Sequence, residues 1–213
     1  MTAPKAVVLL VDDELSIRTT LSCLLEACGY EVIAFASAEE FLLWRDRPAA
    51  GCLLLDLNLP GVNGLKLQDQ LLAEGRNLPI VFITGAGDIP DAVQAMKSGA
   101  VDFLAKPLRE EALLRAVSLA VEKGRHARTR EEELAGLRKR LATLTSRQTE
   151  VLHLVLIGML NKQVAAELGI AEKTVKFHRA QVMKKLRVNS VAELVRLSER
   201  AGFFTPASPS RTQ

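Results

Sequence analysis

LLLDLNLP, residues 53–60, sets one carboxylate, Asp56, at the end of an apolar run, with Pro60 close behind. A short run this continuous in leucine reads as a strand buried on both faces, because a half-exposed strand alternates apolar with polar. Asp56 then marks the strand's carboxyl end. Either it is a tolerated strand-end residue, or the strand is there to hold it.

Outward from this run the chain keeps one rhythm. AVVLLV (6–11), EVIAF (31–35), CLLLD (52–56), PIVFIT (79–84) and VDFLA (101–105) read as strands. Between and after them lie segments with helical apolar spacing. These are LSIRTTLSCLLEACG, AEEFLLWRD as far as Pro48, GLKLQDQLLAEG, PDAVQAMKSG with Pro90 in its first turn, and REEALLRAVSLAVEKG. Alternation of this kind predicts an α/β fold, a doubly wound five-stranded parallel sheet, with ligands at the carboxyl ends of the strands.

The remainder is different material. Residues 124–143 are charged, with Leu134, Leu137, Leu141 and (just beyond) Leu144 at helical spacing. They predict a helical linker, with a short dimerising role left open, since two heptads are too few for a coiled coil. Residues 144–204 predict an all-α domain of four helices. Thr145-Ser-Arg-Gln148 and Ser190-Val-Ala-Glu193 are capping boxes, and Asn161 is placed to cap NKQVAAELG. The polar tail, 205–213, predicts disorder.

Charge divides at the same place. Residues 1–123 hold 11 Lys and Arg against 17 Asp and Glu, a net of −6; residues 124–213 hold 17 against 8, a net of +9. An acidic part joined to a basic part predicts a polyanionic partner for the second. Of three cysteines, Cys23 and Cys28 fall within a predicted helix and are expected in the core of a protein from a reducing compartment. The first apolar run is too short for a signal or a membrane span, so a soluble cytoplasmic protein with no membrane partner is expected.

The acids converge at one rim of the predicted sheet. The first strand ends in Asp12-Asp13-Glu14 and the third in Asp56, and these strands are neighbours at the switch point. Like charges that close call for a hard divalent cation, and Mg²⁺ suits carboxylates plus a phosphate. Thr84 ends the fourth strand, and Lys106 follows the fifth. Singly each residue has a plain reading: Asp12 or Asp13 as a helix N-cap, Thr84 as a turn residue, Lys106 as solvated. Together they make a metal-assisted phosphoryl-transfer site with Asp56 as nucleophile.

VDDE, LLLDLNLPGVNG, ITG and FLAKPL, in this order and spacing over roughly residues 4–123, resemble the receiver domain of bacterial two-component response regulators. The resemblance implies Asp12 and Asp13 as the acidic pair, Asp56 as phosphoacceptor, and Mg²⁺ bound with help from the main-chain carbonyl of Asn58. It implies Thr84 and Lys106 as partners of the phosphoryl group, and a cis peptide at Lys106-Pro107. Phe103 stands where the family keeps a rotating aromatic; being Phe, it excludes a switch that needs a phenolic hydroxyl.

NKQVAAELGIAEKTVKFHRAQVMKKLR reads as helix, tight turn at Gly169, helix, the layout whose second helix enters the DNA major groove. Lys173, Lys176 and Ala180 lie near one face, with Thr174, Phe177 and Gln181 beside it; Lys162, Arg179, Lys184, Lys185 and Arg187 add charge. Val175, Val182 and Leu186 are assigned to the core. The stretch from Leu144 to Val195 resembles the LuxR-type DNA-binding domain, with Ala171 where the family often has a capping Ser. The chain as a whole resembles NarL/FixJ-subfamily regulators. The resemblance implies a sensor histidine kinase, double-stranded DNA and a phosphorylation-dependent homodimer as partners, with RNA polymerase a further one. A Mg²⁺-dependent phosphatase would need a second acid two residues after the nucleophile, where this chain has Asn58. A receiver kept only for dimerisation would be expected to have lost one of the site residues.

Overall fold

The computed structural model describes residues 5–44, 51–85 and 89–203. The chain divides into two units, Met1–Thr129 and Arg130–Gln213.

The first unit alternates β1 (Val7–Val11), α1 (Leu15–Ala27), β2 (Glu31–Phe35), α2 (Ala38–Leu43), β3 (Gly51–Asp56), α3 (Gly64–Ala73), β4 (Ile80–Thr84), α4 (Ile89–Lys97), β5 (Asp102–Ala105) and the start of α5 (Glu110–Leu141). All strands are parallel, in the order β2-β1-β3-β4-β5. The continuous apolar runs are explained by two covered faces. Val7, Leu9, Val11, Leu53, Leu55 and Phe82 join one core with residues of α2, α3 and α4. Val8, Leu10, Cys52, Leu54, Val81 and Ile83 join another with residues of α1 and α5. The edge strands β2 and β5 are only half-buried.

Register fixes the site. Val11 pairs with Leu55, so Asp12 and Asp56 emerge side by side; Asp56 pairs with Ile83 and Thr84 with Ala105. Thr84 and Lys106 therefore reach the same edge.

Three expectations need correction here. The second helix stops at Leu43: Trp44 is extended and lays its ring 5.4 Å from that of Phe35, against the core, while residues 45–48 of the expected helix lie outside the described residues. Cys23 and Cys28 are exposed, and only Cys52 is buried. Helical spacing put both thiols in this helix, but Cys28 lies just past its end as the C-cap residue, and the core face of α1 is spent on Leu21 and Leu25. The fifth helix does not end near Gly124 but continues to Leu141. Gly124 lets it lie against the sheet, since a Cβ there would come 2.4 Å from the carbonyl oxygen of Gly51.

The second unit holds the end of α5, then α6 (Ser146–Leu156), α7 (Asn161–Leu168), α8 (Glu172–Leu186) and α9 (Val191–Arg200). Its core includes Val151, Leu152, Val164, Val175, Val182, Leu186 and Leu194. Of the linker leucines, Leu141 and Leu144 lie on this core and Leu137 is buried. Both capping residues, Thr145 and Ser190, accept from the N–H three residues on, at 3.3 and 3.1 Å. Asn161 does not cap α7. The helix starts one residue earlier than a capping role requires, Gln163 Oε1 takes the N–H of Leu160 at 2.8 Å, and Asn161 Oδ1 accepts from Arg179. Gly169 ends α7 in the left-handed region at φ 61°, which an L side chain adopts only with strain. Ala171 stands at the N-cap of α8 with no side-chain bond, as its sequence implied. The polar tail, 205–213, lies outside the described residues. Among them, no helix is long and apolar enough to cross a membrane.

Candidate functional site

At the carboxyl edge of the sheet, Asp12 and Thr84 are wholly buried and Asp56 is 4% exposed. Lys106 ties them. Its Nζ lies 2.7 Å from Asp56 Oδ2, 2.9 Å from Asp12 Oδ2 and 3.3 Å from Glu14 Oε1. Lys106 follows β5, whose neighbour β4 holds it by the 2.7 Å bond from its N–H to the Thr84 carbonyl. Lys106-Pro107 is cis, as the resemblance implied.

Asp13 is the exposed member of the acidic set. One ligand oxygen from each of Asp12, Asp13 and Asp56 fits within 4.8 Å of the others. The loop after β3 is equally fixed. The N–H of Asn58 donates to Asp56 Oδ1 at 2.9 Å, and its side-chain amide donates to Thr84 Oγ at 3.1 Å. Gly64 opens α3 against this loop; a Cβ there would meet the Asp56 carbonyl oxygen at 2.6 Å. Phe103, half-buried, packs against the core with its ring 6.3 Å from that of Phe82.

Neither Asp12 nor Asp13 caps α1; Glu14 is the N-cap residue, and its N–H donates to Asp12 Oδ1 at 2.9 Å. Burial raises the Asp12 carboxyl above the usual range, against the pull of its bonds from Lys106 and the Glu14 N–H, and the Asp56 charge adds to the rise. Burial works against the Lys106 ammonium, but its bonds to Asp56 and Asp12 outweigh this and hold its pKa above the usual lysine value. The donors are hard carboxylate oxygens, with Lys106 the one cation among the described residues bonded to their side chains. This is an acidic cluster of the kind that binds Mg²⁺.

Sequence reasoning missed Arg18. Its guanidinium donates to the Asp12 carbonyl at 2.7 Å, steadying the acidic loop from within α1. The signal was available: a base in the first turn of a helix opposes the macrodipole and needs another reason to be there.

In the second unit, Lys162 on α7 and Lys173, Thr174, Lys176, Phe177 and Ala180 on α8 are exposed, while Val175, Val182 and Leu186 are buried on the opposite face. Phe177 is 59% exposed on an otherwise basic surface. Lys176 pairs with Glu172 at 3.0 Å. Two residues counted as positive surface are partly committed elsewhere. Arg179 is half-buried and donates to Asn161 Oδ1 at 2.9 Å, and Lys185 donates to the Thr143 carbonyl and Gln148 Oε1 at 2.8 and 2.7 Å. His178 is half-buried beside Phe177, with its Nδ1 unbonded.

Two family models match the chain: the response regulator receiver domain over residues 8–118, and the bacterial regulatory proteins of the luxR family over 142–198. The chain is 48% identical to nodulation protein W of Bradyrhizobium diazoefficiens over 198 residues, which are 93% of this chain and 87% of that protein. Transcriptional regulatory protein FixJ of the same species is 36% identical over 200 residues, 94% of this chain and 98% of that one. Among solved structures, response regulator StyR superposes with a TM-score of 0.81 at 46% identity, over 92% of this chain and all of that one. A receiver followed by a LuxR-type domain implies a histidine kinase and DNA as partners, and a regulator of transcription, not an enzyme. The chain belongs to the two-component response regulators of the NarL/FixJ subfamily.

Proposed function

We propose that this regulator is switched by Mg²⁺-dependent transfer of a phosphoryl group from a sensor histidine kinase to Asp56. The observation that carries the reading is the ammonium of Lys106, 2.7 Å from Asp56 and 2.9 Å from Asp12, at the edge where ligands meet a doubly wound sheet. The receiver takes residues 1–123, the linker 124–143, the DNA-binding domain 144–204, and residues 205–213 form a tail.

An oxygen of the Asp56 carboxylate bonds to phosphorus as the bond from phosphorus to the histidine nitrogen breaks, and the electron pair of that bond stays on the imidazole. The Asn58 N–H orients the attacking carboxylate. Mg²⁺, held by Asp12, Asp13, Asp56 and the Asn58 carbonyl, would supply the positive charge that offsets the phosphoryl oxygens. Lys106 gives up a carboxylate bond to pair with a phosphoryl oxygen. The Thr84 hydroxyl turns toward the same group, and Phe103 packs inward behind it.

The consequence is a homodimer. Ile89, Val93 and Met96 form an exposed apolar stripe on α4, at 79%, 45% and 46% exposure, which supports a receiver interface there. A two-fold dimer presents two DNA-binding domains to a roughly palindromic site. Lys173, Thr174, Lys176, Phe177 and Ala180 face the bases or their edges, and Lys162 and Arg179 the phosphates. RNA polymerase is the partner through which binding becomes regulation.

Sedimentation of the full chain with Mg²⁺, with and without beryllofluoride, tests the reading. The expected result is a monomer-to-dimer shift with tighter DNA binding, both lost in Asp56→Ala. No shift and unchanged DNA binding would overturn it.

A further inference from the structure

Gln68 breaks the pattern of its helix. The inward positions of α3 are Gly64, Leu67, Gln68 and Leu71, and Gln68 is 2% exposed. Helical spacing gives this place to the core, and a Leu or Met would fill it without burying a polar group. The amide instead reaches α4. Its Nε2 donates to the carbonyls of Ala95 and Ser98, both at 3.3 Å, and its Oε1 is buried with no partner among the described residues. A buried acceptor left unbonded costs free energy, so the side chain stands there for what its N–H groups hold and not for the core.

What they hold is the C-terminal end of α4, where the last carbonyls of a helix lack partners within it. The helix has little else to hold it. Of its residues Ala95 alone is buried, whereas Ile89, Val93 and Met96 are exposed. Elements with so few buried apolar groups are the ones that shift or open first. The other end of α4 follows β4, whose last residue, Thr84, stands at the rim with Asp56 and is bonded there by Asn58. A helix moves as one body, so a displacement begun at the rim strains the two bonds at the far end. Both are long for N–H···O bonds and come from a single amide, so they give way together. A shift of α4 also opens the orphaned Oε1 to water and removes the cost of burying it.

We propose that Gln68 is a latch that holds α4, and with it the apolar stripe of Ile89, Val93 and Met96, in a resting position until Asp56 is phosphorylated. Gln68 acts through α4 and not at the rim, so it is a positioning residue. The proposal rests on the reading of the receiver as a switch that dimerises through that stripe.

The test compares the full chain with Gln68→Met, which keeps an unbranched side chain and removes both the donors and the orphaned acceptor. Dimerisation is measured by sedimentation over a range of protein concentrations, with Mg²⁺ and with or without beryllofluoride. Without beryllofluoride the variant should dimerise about tenfold more tightly than wild type, because the resting position has lost the bonds that favoured it. With beryllofluoride the two proteins should agree within about twofold, because the latch is then open in both. Amide hydrogen exchange at Ser98, Gly99 and Ala100, at concentrations low enough to keep the protein monomeric, reads the latch itself. Beryllofluoride should speed this exchange in wild type, and in Gln68→Met it should be fast from the start.

A glutamine that only supports the fold gives another pattern. Gln68→Met would then weaken dimerisation alike with and without beryllofluoride, and that result overturns the proposal. So would equal dimerisation constants for the two proteins in each condition. Should the variant fail to fold, wild type still decides: if beryllofluoride dimerises it but leaves exchange at the three amides unchanged, the latch fails alone. If beryllofluoride neither dimerises wild type nor alters these amides, the reading of the receiver as a switch fails and takes the latch with it.

Discussion

At the scale of single residues, the acidic cluster is unequal. Lys106 bonds Asp12, Asp56 and Glu14, whereas Asp13 makes no hydrogen bond or ion pair among the described residues. Asp13→Asn therefore removes repulsion and breaks no bond. It should stabilise the receiver by about 0.5–1 kcal/mol at low salt and less at high salt, while lowering Mg²⁺ affinity. Thermal melting followed by fluorescence checks this, because Trp44 is the only tryptophan and packs in the first unit. A lower melting temperature would show that Asp13 has a structural partner. A second residue-scale prediction concerns Cys52, whose burial pushes its thiol up to about 12. An unfolded thiol ionises near 8.5, roughly, while the folded one keeps its proton. Between those values the unfolded state binds fewer protons, so stability falls as pH rises, by about 1.4 kcal/mol per pH unit. Below the unfolded value both states are protonated and the effect vanishes. Urea titrations read by Trp44 at pH 8 and pH 10 should show that fall in wild type and lack its Cys52 share in Cys52→Ala. Equal slopes in the two proteins would remove Cys52 as the cause.

At the scale of elements, what the sequence carried depended on the physics behind each signal. Strands β1, β3 and β4 were legible because both their faces are covered and the runs had to be apolar throughout. The site followed, since strand order and register put Asp12, Asp56, Thr84 and Lys106 at one edge. Helix limits were less legible. Trp44 leaves α2 for a tertiary contact, Asn161 yields its capping role to Gln163, and α1 buries Leu21 and Leu25, leaving Cys23 exposed and Cys28 beyond its end. Close approach was not legible either, because a glycine needed for space looks like one needed for a turn. Gly64 and Gly124 separate these ideas. An added Cβ would strike backbone in both cases, at 2.6 Å from the Asp56 carbonyl oxygen and 2.4 Å from that of Gly51. Each change to Ala should cost about 1–3 kcal/mol, as overpacking does. Only Gly64→Ala should also slow phosphoryl uptake, because the atom it displaces belongs to the phosphoacceptor. Uptake from a small-molecule phosphodonor, set against urea stability, decides it: an equal slowing in Gly124→Ala would reduce the effect to general loosening.

At the scale of the whole molecule, the division of charge was plain in the sequence, but its availability was not. The positive charges after residue 123 do not all face solvent for DNA. Lys185 is spent on Thr143 and Gln148, whose side chain is buried, and Arg200 pairs with Glu133 at 2.8 Å. Lys162, by contrast, is exposed on α7. The salt dependence of DNA binding distinguishes the two kinds of charge, because each phosphate contact contributes about −0.9 to the slope of log affinity against log salt. Lys162→Ala should make that slope shallower by about 1 on every DNA sequence. Lys185→Met should leave the slope unchanged. It should instead destabilise the second unit by about 0.5–1.5 kcal/mol, the net worth of the lost bonds, since Gln148 Oε1 keeps the Thr145 N–H and the Thr143 carbonyl is open to water. Binding isotherms from low to moderate salt, together with thermal melts by circular dichroism, check both. A shallower slope in Lys185→Met would mean that this lysine leaves Gln148 for phosphate when DNA arrives, and that the domain exchanges an internal bond for an external one as it binds.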